Sequence, residues 1–181
     1  MTGVVWLAVC HRRLHQQVSS LATALRLVHA ELDRRYQYVP ALVLAAAETV
    51  GSDLVAPVTG ARTLAMRIRE EELDLRRQAG AEKALSAALQ AVLQSGRRYP
   101  QLAHDWAFVR PAHELEHIET RLAGAVRVYN DQARRLNSAL TAFPTRVLAA
   151  RAGIAEAQAF EATILEVHTS EPGDGVVAAA A

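Results

Sequence analysis

Apolar residues along the first third of the chain recur in steps of three and four. Leu14, Val18, Leu21, Leu25, Val28 and Leu32 form a heptad seam, the pattern of a helix with one buried stripe. The spacing predicts helix 1 from about Leu14 to Tyr38, stopped by Pro40. A second segment starts near Pro40 with Val39, Leu42, Val43, Ala46 and Val50 on one side, and Gly51, Pro57 and Gly60 then interrupt it. An interior proline removes a backbone hydrogen bond and clashes with the preceding turn at a cost of about 3 kcal/mol. Helix 2 is therefore expected to be kinked, resuming at Ala61, Leu64 and Ile68, passing a solvated Arg69-Glu70-Glu71-Glu72 stretch and stopping at Gly80. Helix 3 runs from Ala81 through Leu85, Ala88, Leu89, Val92 and Leu93, ending at Gly96 and Tyr99-Pro100. Leu102, Trp106 and Phe108 follow as a cover for one end of a bundle.

Helix 4 opens at Pro111, an allowed early position, and carries Leu115, Ile118, Leu122, Ala125, Tyr129, Leu136, Leu140 and Phe143 on or beside one stripe. Residues 145–152 make a short last helix closed by Gly153. The predicted fold is all-α: an antiparallel four-helix bundle with long helices 1 and 4, a kinked helix 2 and a short C-terminal helix. Residues 1–152 form the bundle, with 1–10 a short apolar lead. Residues 153–181 form an extension, largely disordered after 168 because its turn formers show no periodicity.

Composition agrees with helices. Hydrophobic residues are 51% of the 181, many of them alanine, and aromatics only 5%. Twenty basic against nineteen acidic side chains leave a formal charge of +1, so no whole-chain field points to nucleic acid as a partner. The single Cys10 has no second thiol for a disulfide or a thiolate metal site. The apolar run Val4-Val5-Trp6-Leu7-Ala8-Val9 ends at His11-Arg12-Arg13, well short of the roughly 20 residues that span a bilayer. It is long enough to dip into a membrane interface or to dock a partner, and no basic region precedes it as in a secretory signal.

His113-Glu114-Leu115-Glu116-His117 fits the H-E-x-x-H pattern in which two histidines one turn apart hold zinc and the glutamate activates water. No histidine follows at a familiar third-ligand spacing; His168 alone lies further on. At about 100° per residue, His113 and His117 point away from the Leu115, Ile118 and Leu122 stripe. They are expected to face water, and no metal or other cofactor is expected.

The same projection places Glu119, Asn130 and Asn137 along one border of the helix 4 stripe, and Arg35 one heptad step after Leu32. Polar groups beside a core need partners. An antiparallel bundle brings the end of helix 1 to the start of helix 4, so an Arg35–Glu119 ion pair is expected, fixing register.

In order along the chain, Glu31-Leu32-Asp33-Arg34-Arg35, Tyr38-Val39-Pro40-Ala41-Leu42-Val43, Ala61-Arg62, Tyr99-Pro100-Gln101-Leu102, Phe108, Glu114-Leu115, Glu119, Arg121, Tyr129-Asn130, Asn137 and Phe143-Pro144 resemble the signature of the LemA family over about residues 10–160. The resemblance implies a helical bundle, usually attached to a bacterial membrane by an N-terminal helix, with no established enzymatic activity. The chain departs from that pattern in the shortness of its apolar lead, in Cys10-His11, and in Pro57, Gly60 and Pro111. The expected location is the cytoplasm or the cytoplasmic face of the bacterial inner membrane: with an anchor upstream, His11-Arg12-Arg13 would keep the bundle on the cytoplasmic side.

The expected function is a non-enzymatic interaction module that docks an unidentified protein partner or a membrane surface, with Val4, Val5, Trp6 and Leu7 as contact residues. The alternatives are a zinc-dependent hydrolase built on His113, Glu114 and His117, and a bundle in which Glu119, Tyr129, Asn130 and Asn137 line a small-ligand pocket. Oligomeric state is left open.

Overall fold

The computed structural model describes residues 2–71 and 74–161, with side chains from Val5 onward. The described residues are all-helical, with no strand. The helices are α1 (Thr2–Val50), α2 (Ser52–Glu70), α3 (Leu75–Arg98), α4 (Pro100–His104), α5 (Trp106–Thr141) and α6 (Thr145–Ala152).

The longest element departs from expectation. Helix 1 does not stop at Pro40; it continues to Val50. The reason is visible in the seam itself, because Leu32, Arg35, Val39, Leu42 and Ala46 keep the three-and-four stepping across the proline and all are buried. Pro40 has no N–H to give the carbonyl of Tyr36, and Arg62 Nε donates to that carbonyl instead, at 2.8 Å. Burial of a continuous stripe outweighs one lost bond whose acceptor is satisfied from another helix.

The break comes at Gly51, where φ is 83°, a backbone region open to glycine at little cost. The chain reverses there, and α2 returns along α1, with Arg69 paired to Asp33 at 2.6 Å. The expected kinked helix 2 is thus divided: its first part belongs to α1 and the remainder is α2, with Pro57 and Gly60 inside it. Arg69 is half-buried rather than solvated, Glu70 and Glu71 are exposed, and Glu72 lies outside the described residues.

Gly80 is not a stop, because α3 begins earlier, at Leu75, where the Asp74 side chain accepts from the Arg76 N–H, the N-cap arrangement. Gly96 also lies inside α3, and a Cβ there would sit 2.7 Å from Phe108 Cε1. Close approach of the Phe108 ring accounts for that glycine. Leu102 and Phe108 are buried, but Trp106 is 71% exposed and covers nothing. It begins α5, capped by Asp105, whose carboxylate accepts from the Ala107 N–H at 2.9 Å.

Helices α1 and α5 run in opposite directions. Arg35 meets Glu119, Glu31 meets Arg121 at 3.0 Å, and Leu14 shares a cluster with Leu136. Most core residues form one cluster around the second half of α1, joined by α2, α3 and α5. A smaller cluster of Leu14, Leu136 and Ala149 lies beside the first half, with Val18, Leu140, Ile154 and Ala157 packed on it. Phe143, expected on the seam, is 82% exposed, because α5 ends at Thr141 and the residue falls in the turn before α6. Gly153 closes α6 in the left-handed conformation, φ 65°. Residues 154–161 then run along the molecule without regular structure, and the tail expected to be disordered after 168 lies outside the described residues.

Candidate functional site

Two polar constellations break the apolar interior. In the first, the Arg35 guanidinium is 1% exposed and lies between two carboxylates, Glu82 and Glu119, that are equally buried. Arg35 Nη1 donates to Glu119 Oε1 at 2.9 Å and to Ser86 Oγ at 2.9 Å, and Nη2 donates to Glu82 Oε2. The Tyr36 hydroxyl donates to the other oxygen of Glu82. Arg35 Nε and Glu119 Oε2 have no protein partner among the described residues. Burial pushes the Arg35 pKa down, but the Glu119 and Glu82 carboxylates outweigh it and hold the group above its ordinary value. Burial first, and then the Glu82 carboxylate, push the Tyr36 hydroxyl up, so it remains a donor.

Sequence reasoning reached Arg35 and Glu119 but missed Glu82, Ser86 and Tyr36. The signal for two of them was present: Glu82 and Ser86 share a face of α3 with Leu85 and Leu89, all buried. A cation sealed between carboxylates from α3 and α5 locks three helices in one register, since a slip would strand a charge away from water.

The second constellation lies farther along α5. Asn137 Oδ1 accepts from the Ala157 N–H at 2.8 Å, while its Nδ2 donates to the Ala157 carbonyl at 2.9 Å. One heptad earlier, Asn130 does the same to Phe160, accepting at 2.8 Å and donating at 3.2 Å. The Tyr129 hydroxyl donates to the Gln158 carbonyl at 2.8 Å, and burial raises its pKa. Each asparagine thus pairs with one residue of the returning segment as an adjacent strand would, through both backbone groups. The Phe160 side chain is 1% exposed within the main core.

Glu119 is some 16 Å along the helix from Asn130, at about 1.5 Å per residue. Glu119, Tyr129, Asn130 and Asn137 therefore do not line one pocket, which corrects that expectation: the structure divides them between the ion cluster and the returning segment.

His113 and His117 are exposed on α5, edge to face with ring centroids 4.4 Å apart. His11 and His15 form a second such pair on α1, with Nε2 atoms 3.2 Å apart. Among the described residues no three His, Cys, Asp or Glu side chains are placed to share a metal ion.

At the start of α1, Val5, Trp6, Leu7 and Val9 are exposed, at 64%, 51%, 44% and 58%; the side chain of Val4 lies outside the described residues. The antiparallel pairing and α6 bring Phe143 and Val147, also exposed, to this end. Nearby, Arg13, Arg134 and Arg135 line a shallow groove of about 660 Å³.

Among the described residues no helix is long and apolar enough to cross a membrane. The sequence matches the model of the LemA family over residues 24–172. No curated protein matches the chain.

Proposed function

The chain belongs to the LemA family, and from that premise we propose that it is a non-enzymatic helical module, an antiparallel bundle whose apolar end docks on an anionic membrane surface. The observation that carries this reading is the exposure of Val5, Trp6, Leu7 and Val9 within little more than one helical turn. Successive helical residues are about 100° apart, so these four, together with the exposed Ala8 between Leu7 and Val9, present apolar surface all round the helix. A helix apolar all round suits an apolar medium, whereas contact with one protein face needs a single stripe. Residues 4–10 reach about 10 Å at 1.5 Å per residue, the depth of an interfacial insertion.

The basic residues support the same orientation. Arg12 and Arg13 follow the apolar turns, and Arg135 shares a groove with Arg13, beside Arg134, whose charge is paired with Asp131 in the same groove. Each such cation near anionic headgroups contributes about 1 kcal/mol. An excess of arginine beside an apolar segment favours the cytoplasmic side. The non-enzymatic part of the reading is supported by what the polar groups already do: Glu119 holds Arg35, Asn130 and Asn137 hold backbone, and His113 and His117 point outward.

The test uses the full chain with Trp106→Phe, leaving Trp6 as the only indole. Vesicles of phosphatidylcholine with phosphatidylserine should blue-shift its emission and sediment the protein. Val5→Ser with Leu7→Ser should weaken sedimentation about tenfold or more, given roughly 25 cal/mol per Å² of apolar area, and high salt should weaken it further. An unshifted spectrum with no sedimentation at low salt would sink the reading.

A further inference from the structure

We propose that the face of α5 carrying Tyr129, Asn130 and Asn137 is a binding site for an extended peptide, occupied here by the chain's own residues 154–160 and able to take a segment of the same kind from another polypeptide. The site is distinct from the apolar end, and its test is independent of the membrane reading.

The recognition is of backbone. Asn137 and Asn130 contact the N–H and C=O of Ala157 and Phe160, and Tyr129 contacts a third main-chain group, the carbonyl of Gln158. None of these five bonds involves a side chain of the segment, so the clamp sets conformation and direction rather than composition. The spacing sets the conformation: seven helical residues advance about 10.5 Å, and three residues of chain cover that distance only when nearly fully extended, at about 3.3–3.6 Å each. The direction is fixed as well, because the later residue of the segment meets the earlier asparagine.

Composition is read at the positions that turn inward. Ile154 and Ala157 pack on the Leu14, Leu136 and Ala149 cluster, and Phe160 is buried, whereas Ala155, Glu156, Gln158 and Ala159 are exposed. The ligand is therefore an extended segment with a small residue at one clamp point and an aromatic one three positions on. The resident segment meets this description without belonging to any helix. It is joined to the rest of the fold through Gly153, a left-handed hinge. Apart from the Ile154 N–H, which closes α6 by donating to the Ala149 carbonyl at 3.1 Å, the segment is held by side-chain contacts of a kind that a separate peptide can make, the recognition seen where an extended chain adds to a prepared edge.

Tethering gives the resident segment an effective concentration in the millimolar range, so an added peptide competes poorly until the resident is weakened. Phe160→Ala weakens it by removing the one large buried side chain. A labelled peptide of residues Gly153–Glu161 should bind the full-length Phe160→Ala protein at least tenfold more tightly than the unaltered chain. Adding Asn130→Ala and Asn137→Ala should abolish that binding. No binding to a Phe160→Ala protein that keeps its helical circular dichroism and cooperative melt overturns the proposal. If that variant does not fold, amide exchange in the unaltered chain decides. Exchange of the Ala157 and Phe160 amides through an opening that leaves α5 protected supports a separable ligand, and exchange only together with α5 overturns it.

Discussion

Arg35 is the residue on which the interior's electrostatics turn. Removing it by Arg35→Met leaves Glu82 and Glu119 buried without a counter-charge, and breaking a buried pair from one side costs about 3–5 kcal/mol. Urea denaturation should show a loss of that order, and the triple change Arg35→Met, Glu82→Met, Glu119→Met should recover most of it, because no charge is then left unpaired. His29 offers a second test. Burial, and then Arg69, hold its pKa below 6.5, against the opposing influence of the neighbouring Gln78 side chain and the charge of Asp33. The unfolded chain therefore takes up this proton before the folded one, and the stability tied to neutral His29 is present above pH 6.5 and lost as pH falls below it. Melting at pH 7.5 and at pH 5.5 should differ less for His29→Gln than for the unaltered chain; an equal difference would refute the assignment. The cluster was half legible in the sequence. Arg35 and Glu119 stood at seam positions, but with helix 3 started at Ala81, Glu82 fell in a first turn, where a solvated acid is ordinary. With the true start at Leu75, the same glutamate sits well inside a buried face.

At the level of elements, the proline in α1 explains an arginine in α2. Arg62 Nε bonds the Tyr36 carbonyl that Pro40 cannot serve, so the two positions should be energetically coupled. Arg62→Met should cost about 1–3 kcal/mol, the penalty for a buried acceptor left alone. In a Pro40→Ala background, where the helix restores its own bond, that cost should fall by about 1 kcal/mol or more, a coupling of the size found between interacting neighbours. A double-mutant cycle by chemical denaturation measures it, and strict additivity would contradict the compensation. The long α5 and the short α6 were readable from periodicity and from Gly153. The continuity of α1 was readable too, since Arg35, Val39, Leu42 and Ala46 extend the heptad, but a local rule about proline masked it. What no periodicity could supply was the path of residues 154–160, whose structure is imposed by asparagines distant in sequence.

Across the whole molecule, burial is uneven. The second half of α1 is enclosed by the main core, while the first half is held by a cluster with, among the described residues, three fully buried members. Local stability follows buried apolar contact. Hydrogen exchange should therefore be faster for residues 10–20 and 134–149 than for residues 28–46, and uniform protection along α1 would show that its two halves open as one unit. The asparagine clamp also has a consequence for assembly. A sheet edge that accepts a strand offers a new edge in turn, and pairing can propagate from copy to copy. Here the accepting surface is a helix whose own backbone bonds are internal, and its two reading points lie about 10.5 Å apart, with no third asparagine one heptad further in either direction. Addition of a segment to this face terminates itself: one short stretch of chain is registered, and nothing is left on the helix to template the next.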